Sequence, residues 1–109
     1  ELYNNIQIFP TTTPLARGQQ TTKNKDGTPK ENETVVAWVN DYKGTRVFST
    51  TIGHNSETVE DARYLDLVTR GLLWACGKLD EAGSAKPGYG PKKERSAARR
   101  TGVAPVSNF

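Results

Sequence analysis

His54 is the only histidine in the chain, and it stands between a β-branched run and the polar stretch Asn55-Ser56-Glu57 that opens a helical pattern. Histidine supplies a general acid, a general base or a metal ligand near neutral pH. A histidine just beyond a strand occupies the place where open α/β folds gather their chemistry. His54 is therefore the leading candidate site residue. Asn55 and Glu57 flank it within reach of the same pocket, although a loop ahead of a helix is polar for capping alone. Cys76, the single cysteine, falls on the apolar stripe of the last helix. An activated thiol needs a partly exposed, electropositive setting, so a packed thiol is expected there and not a nucleophile. Trp38 and Trp74 could stack on a sugar ring, but both lie inside apolar runs and are expected in the core. Arg46 and Arg70 suit either a surface ion pair or a ligand contact.

The elements that must position these groups follow from periodicity. Thr34-Val35-Val36-Ala37-Trp38-Val39 is nearly continuous in apolar and β-branched residues, as in a strand buried on both faces. Arg46 to Ile52 repeats the composition, and the pair reads as a hairpin with a connection of four to five residues around Asp41-Tyr42-Lys43-Gly44. Residues 18–33 are polar, with turn signals at Asp26-Gly27 and Thr28-Pro29, and read as a surface loop. One helix is expected from about Thr58 to Lys78. Leu65, Val68, Leu72 and Ala75 recur at spacings of three and four and would face a sheet, with Gly77 marking the end. Ile6, Ile8 and Leu15 suggest short extended pieces interrupted by Pro10 and Pro14.

At 109 residues the chain holds one small domain. Residues 1–80 carry 9 Lys+Arg against 10 Asp+Glu, whereas residues 81–109 carry 6 against 2. The basic character thus belongs to a tail, residues 81–109, rich in Gly, Pro, Ala and Ser and read as flexible linker. A near-neutral body argues against a nucleic-acid surface, and the isolated pairs Lys92-Lys93 and Arg99-Arg100 lack interleaved aromatics. No apolar run approaches the ~20 residues of a membrane helix. No cysteine–histidine pattern with zinc spacing is present, and no pattern names a cofactor or a metal. Glu1 is not an initiator methionine, so further sequence is expected upstream and the compartment and oligomeric state stay open.

Four segments, in order, resemble a known family. Glu1-Leu2-Tyr3, Val36-Ala37-Trp38, Arg46-Val47-Phe48 leading to Ile52-Gly53-His54, and Arg70-Gly71-Leu72-Leu73-Trp74-Ala75 are similar to segments of ThuA-like (trehalose-utilisation) domains. Tyr42-Lys43-Gly44-Thr45-Arg46 departs from the family's Tyr-Gly-Lys-Gly-Arg by one shifted and one lost glycine. The resemblance implies an α/β fold of the flavodoxin-like, class I glutamine amidotransferase-like type. Residues 1–80 would form its carboxy-terminal part, a strand hairpin plus the final helix. It also implies a carbohydrate-related small molecule as ligand or substrate, with a non-catalytic sugar-binding or assembly module as the alternative. In the amidotransferase relatives a strand delivers a catalytic histidine at a place comparable to His54. Glu1 and Tyr3 match the family's acidic-aromatic segment, and a carboxylate and a phenol suit sugar hydroxyls or the orientation of a histidine. The implied site is thus His54 with Glu1, Tyr3 and Asn55.

Overall fold

The computed structural model describes residues 2–92. Three antiparallel strands, β1 (Thr13–Lys23), β2 (Pro29–Tyr42) and β3 (Thr45–Thr50), lie in the order β1-β2-β3. Two helices follow, α1 (Ser56–Glu60) and α2 (Ala62–Ala75). The central strand supplies the core. Val35, Val36 and Ala37 are buried, as the apolar run predicts.

Because side chains alternate across a strand, β2 offers Val35, Ala37 and Val39 to one face and Val36 and Trp38 to the other. Phe48 pairs directly with Val39, so its ring joins the first face. There it meets α2 at Gly71, where an added Cβ would stand only 2.4 Å from the ring. On the second face Leu2 packs over Gly18 and Val36: a Cβ on Gly18 would lie 2.8 Å from Leu2 Cδ1. The sheet is thus clasped between the last helix and the amino-terminal segment.

The β2–β3 connection is shorter than expected. Tyr42 pairs with Thr45, leaving only Lys43 and Gly44 in the turn, at φ 51° and 81°. Positive φ at both central residues makes the type I′ geometry that matches strand twist, and Asp41 Oδ1 accepts from the Gly44 N–H at 2.9 Å. The glycine shift in this segment therefore leaves the turn intact, with Gly44 at the second central position.

Residues 18–33, expected as a loop, instead form the outer part of a long β1–β2 ribbon paired from Arg17↔Val35 to Lys23↔Pro29. The ribbon lacks apolar alternation because both its faces meet water. Polar cross-strand pairs hold its register: Gln19 donates to Glu33, Thr21 to Glu31 and Asn32 to Thr22. The turn signal at Asp26-Gly27 is where the ribbon reverses, with Gly27 at φ 84°.

The single helix expected over residues 58–78 is two helices. Asp61 breaks it with extended backbone (φ −65°, ψ 128°) and caps α2 by accepting from the Arg63 N–H. Thr58 is not the cap of α1; its N–H donates to the side chain of Asn55, which is. At the far end Gly77, at φ 69°, completes a Schellman motif: the Lys78 N–H donates to Leu73 and the Gly77 N–H to Trp74.

The phase of α2 also differs from the expectation. The sheet-facing stripe is Tyr64, Leu67, Gly71 and Trp74, whereas Leu65 and Leu72 are exposed and Val68 and Ala75 half-buried. Apolar residues nearly encircle this helix, so spacing alone does not fix the buried side. Gly71 does, by admitting the Phe48 ring where any other side chain would hold the helix off. Cys76 is exposed at the carboxyl cap and not packed as expected.

Residues 78–91, which run from the end of the body into the segment the sequence marks as tail from residue 81, fold back beside α2. Leu79 bridges to Ala85, the Lys86 N–H donates to Lys78, and the Lys78 ammonium lies over the Tyr89 ring. The rest of the tail, residues 93–109, lies outside the described residues.

Candidate functional site

The loop that carries His54 is built by glycine. After β3 the chain passes Thr51 and Ile52 to Gly53, whose φ of 119° is accessible to glycine and rare for other residues. The Tyr64 hydroxyl, from the first turn of α2, sits where a Gly53 Cβ would approach it to 2.6 Å. Gly53 is thus needed twice, for its backbone angle and for its missing side chain. Asn55 then caps α1, so the chain between Gly53 and Ser56 is held at both ends with His54 in the middle.

Tyr3 arrives from the opposite end of the chain. Leu2, seated over Gly18 and Val36, anchors the amino-terminal segment and brings the Tyr3 hydroxyl to 3.0 Å from His54 Nδ1. The two rings meet edge to face, with centroids 6.4 Å apart and an interplanar angle of 61°. This pairing spans 51 residues. A phenol suits either charge state of the imidazole: it donates to Nδ1 in the Nε2–H tautomer and accepts from Nδ1–H in the imidazolium.

Of the other residues singled out by sequence, Glu1 lies outside the described residues. Asn55 stands beside His54, but its side-chain oxygen is engaged by the Thr58 N–H at 2.9 Å. Glu57 lines an open cleft of about 510 Å³ together with Ile52, Thr58, Asp61, Arg63, Tyr64 and Leu67. Sequence reasoning missed the cleft residues on α2. Asp61 and Arg63 form a forked pair on its wall: Asp61 Oδ1 accepts from Arg63 Nε at 3.0 Å and Oδ2 from Nη2 at 2.8 Å. These bonds, with the Arg63 backbone N–H, hold the Asp61 carboxyl well below the usual carboxylate range and raise the Arg63 guanidinium. Tyr64 had no local signal, because its place over Gly53 depends on helix phase.

The arginines resolve into structural roles. Arg46 lies over the Trp74 ring, 5.2 Å from its centroid, and donates to the Trp74 carbonyl, closing the end of α2 against β3. Arg70 pairs with Asp66 at 2.8 Å and reaches the Gly83 carbonyl. Trp38 and Trp74 are half-buried. Among the described residues no group of three His, Cys, Asp or Glu side chains could hold a metal ion, and no helix is long and apolar enough to cross a membrane.

Fold and site together define a small mixed α/β domain with a tyrosine–histidine pair at the carboxyl end of its last strand. The family model described as ThuA, trehalose utilisation, matches residues 1–75. The match takes in both ends of the Tyr3–His54 pair and all of α2, and the chain belongs to this family. Comparison with curated proteins and with solved structures finds no match.

Proposed function

We propose that this domain binds or acts on a carbohydrate-related small molecule, with His54 as the acid–base group and Tyr3 as the residue that orients it. The observation that carries the reading is the 3.0 Å contact between Tyr3 Oη and His54 Nδ1, assembled from two distant segments on a glycine-shaped loop. Family membership supplies the substrate class, since trehalose utilisation is what the family's description names. The cleft that begins at Ile52, two residues before His54, is lined by neither His54 nor Tyr3 but, at about 510 Å³, falls within the ~300–1,000 Å³ typical of small-molecule sites. Glu57, Arg63 and the Tyr64 hydroxyl give it the polar groups that sugar hydroxyls require. The class I glutamine amidotransferase-like superfamily belongs to the same proposal, supported by the helix laid on the sheet and by the histidine beyond a strand. The partner in this reading is a small molecule, with neither nucleic acid nor membrane involved.

The test is calorimetric titration of the chain with trehalose and with glucose, alongside His54→Gln and Tyr3→Phe. Saturable binding of one sugar class by the unaltered chain is expected. His54→Gln should abolish binding while moving stability by no more than about 0.5 kcal/mol, as for other exposed substitutions. Tyr3→Phe should weaken binding by about 0.5–1.5 kcal/mol, the worth of one net hydrogen bond. Unchanged affinity in folded His54→Gln would overturn the assignment, and binding without turnover would mark a sugar-binding module.

A further inference from the structure

The His54 loop and the cleft beside it share the side chain of Tyr64. From the first turn of α2 it lines the cleft with Ile52, Glu57 and Arg63, and it also packs on Gly53, the residue before His54. The three heavy atoms nearest to a Cβ built on Gly53 all belong to Tyr64: Oη at 2.6 Å, Cζ at 3.0 Å and Cε2 at 3.2 Å. The end of the phenol therefore stands where a side chain of residue 53 would point. The backbone that carries it is fixed, because the Asp61 carboxylate caps this turn by accepting from the Arg63 N–H at 2.8 Å. Among the described residues the Tyr64 hydroxyl has no hydrogen-bond partner, whereas the Asp61 and Arg63 side chains are occupied with each other. A hydroxyl both donates and accepts, so this one is open to a hydroxyl-bearing ligand in the cleft.

Glycine is the most permissive link in this loop. At φ 119° Gly53 has no Cβ to limit its backbone, and any freedom there moves His54 directly. Tyr3 restrains the imidazole through Nδ1, and Asn55 holds the following chain by capping α1. On the preceding side the restraint falls to Tyr64. We propose that Tyr64 is a positioning residue for His54 that joins the cleft to the acid–base group: its phenol steadies Gly53, and a cleft ligand bonded to its hydroxyl tightens that support. Through Tyr64 a cleft lined by neither His54 nor Tyr3 acts on the pair. Tyr64 needs no ligand to steady the loop; that a sugar tightens it rests on the function proposed above.

Proton NMR of the full chain tests the proposal, since His54 is the only histidine and its Cε1–H gives a single imidazole signal. That signal reports position, because the Tyr3 ring centroid lies 6.4 Å away and ring-current shifts fall steeply with distance. Tyr64→Phe keeps the ring and removes only the hydroxyl, the atom nearest the Gly53 Cβ position; Tyr64→Leu removes both. Far-UV circular dichroism should match the unaltered chain in each. In the free chain at fixed pH the His54 signal should be displaced and broadened in Tyr64→Phe, and further in Tyr64→Leu. Thr58→Val, which alters the cleft wall on α1, should leave it in place. Titrated with trehalose, the unaltered chain should show the signal moving in step with calorimetric saturation. Tyr64→Phe should bind about 2–10-fold more weakly, the effect of losing one hydrogen bond, and its signal should respond less. A free-chain signal in Tyr64→Phe identical to that of the unaltered chain, or one displaced no further than in Thr58→Val, would overturn the positioning role. Saturation that leaves the signal unmoved would overturn the link to the cleft. Absence of trehalose binding would sink the sugar reading alone, with the free-chain comparison still deciding the role of Tyr64.

Discussion

Replacing Gly71 with alanine should destabilise the domain, although alanine is the better helix former. An ideal Cβ at this position would lie 2.4, 2.5 and 2.6 Å from Cδ1, Cγ and Cε1 of Phe48. Ordinary carbon contacts begin near 3.5 Å, so the ring must retreat by roughly 1 Å. Three adjacent ring atoms are involved, which rules out relief by a small rotation of one edge. Phe48 cannot retreat freely, because it sits on the central strand's partner and faces Val39 across the ladder. Overpacking of this kind costs about 1–3 kcal/mol, whereas the change from glycine to alanine inside a helix returns about 1 kcal/mol. The expected net loss is up to about 2 kcal/mol. At roughly 4–8 °C per kcal/mol for a domain of this size, the melting temperature should fall visibly. Urea unfolding followed by Trp38 and Trp74 fluorescence measures it. A second background isolates the cause: once Phe48→Ala has removed the ring, Gly71→Ala should become stabilising by about the propensity difference, ~1 kcal/mol. Stabilisation by the full propensity difference with Phe48 in place would refute the close helix–sheet approach that fixes the phase of α2.

Further expectations follow from single residues. Gly77→Ala forces a side chain into the left-handed conformation of the Schellman motif and should cost about 1–2 kcal/mol in urea unfolding. Gly53→Ala, strained by its φ of 119° and by the Tyr64 hydroxyl, should displace His54 and lower sugar affinity as His54→Gln does, checked by the same titration. Asp61 is held below its ordinary value of 3.8 by Arg63, so its stabilising effect is complete above 3.8 and is lost as pH falls towards the depressed folded value. Unfolding curves in this acid range should therefore be less pH-dependent in Asp61→Asn than in the unaltered chain. Arg46→Met removes the guanidinium from the Trp74 face and should cost about 0.5–1 kcal/mol with altered indole fluorescence.

Properties written in local runs of residues were legible in the sequence. The buried centre of β2 follows from Val35-Val36-Ala37, an unbroken apolar run that has no other place to go. The strand partner at residues 46–50, the reversal at Asp26-Gly27 and the helix end at Gly77 are likewise set by near neighbours. The place of His54 between a strand and a helix could be read from its neighbours, and the family from four short segments in order. What sequence spacing left open are the choices among equivalent local solutions. The polar ribbon is one: Gln19, Thr21, Glu31 and Glu33 pair across strands, but polar residues with both faces in water carry no alternation that marks a strand. The turn at Lys43-Gly44 is another, since only the pairing register reduces it to two residues. Helix phase is the third, because apolar residues nearly surround α2, and the sheet-facing side was decided by the fit of Gly71 against Phe48. The Tyr3–His54 contact belongs with these. Each residue is visible alone in the sequence, but their 3.0 Å approach exists only because Leu2 seats the amino-terminal segment on one face of the sheet while Gly53 and Tyr64 shape the loop beyond its last strand.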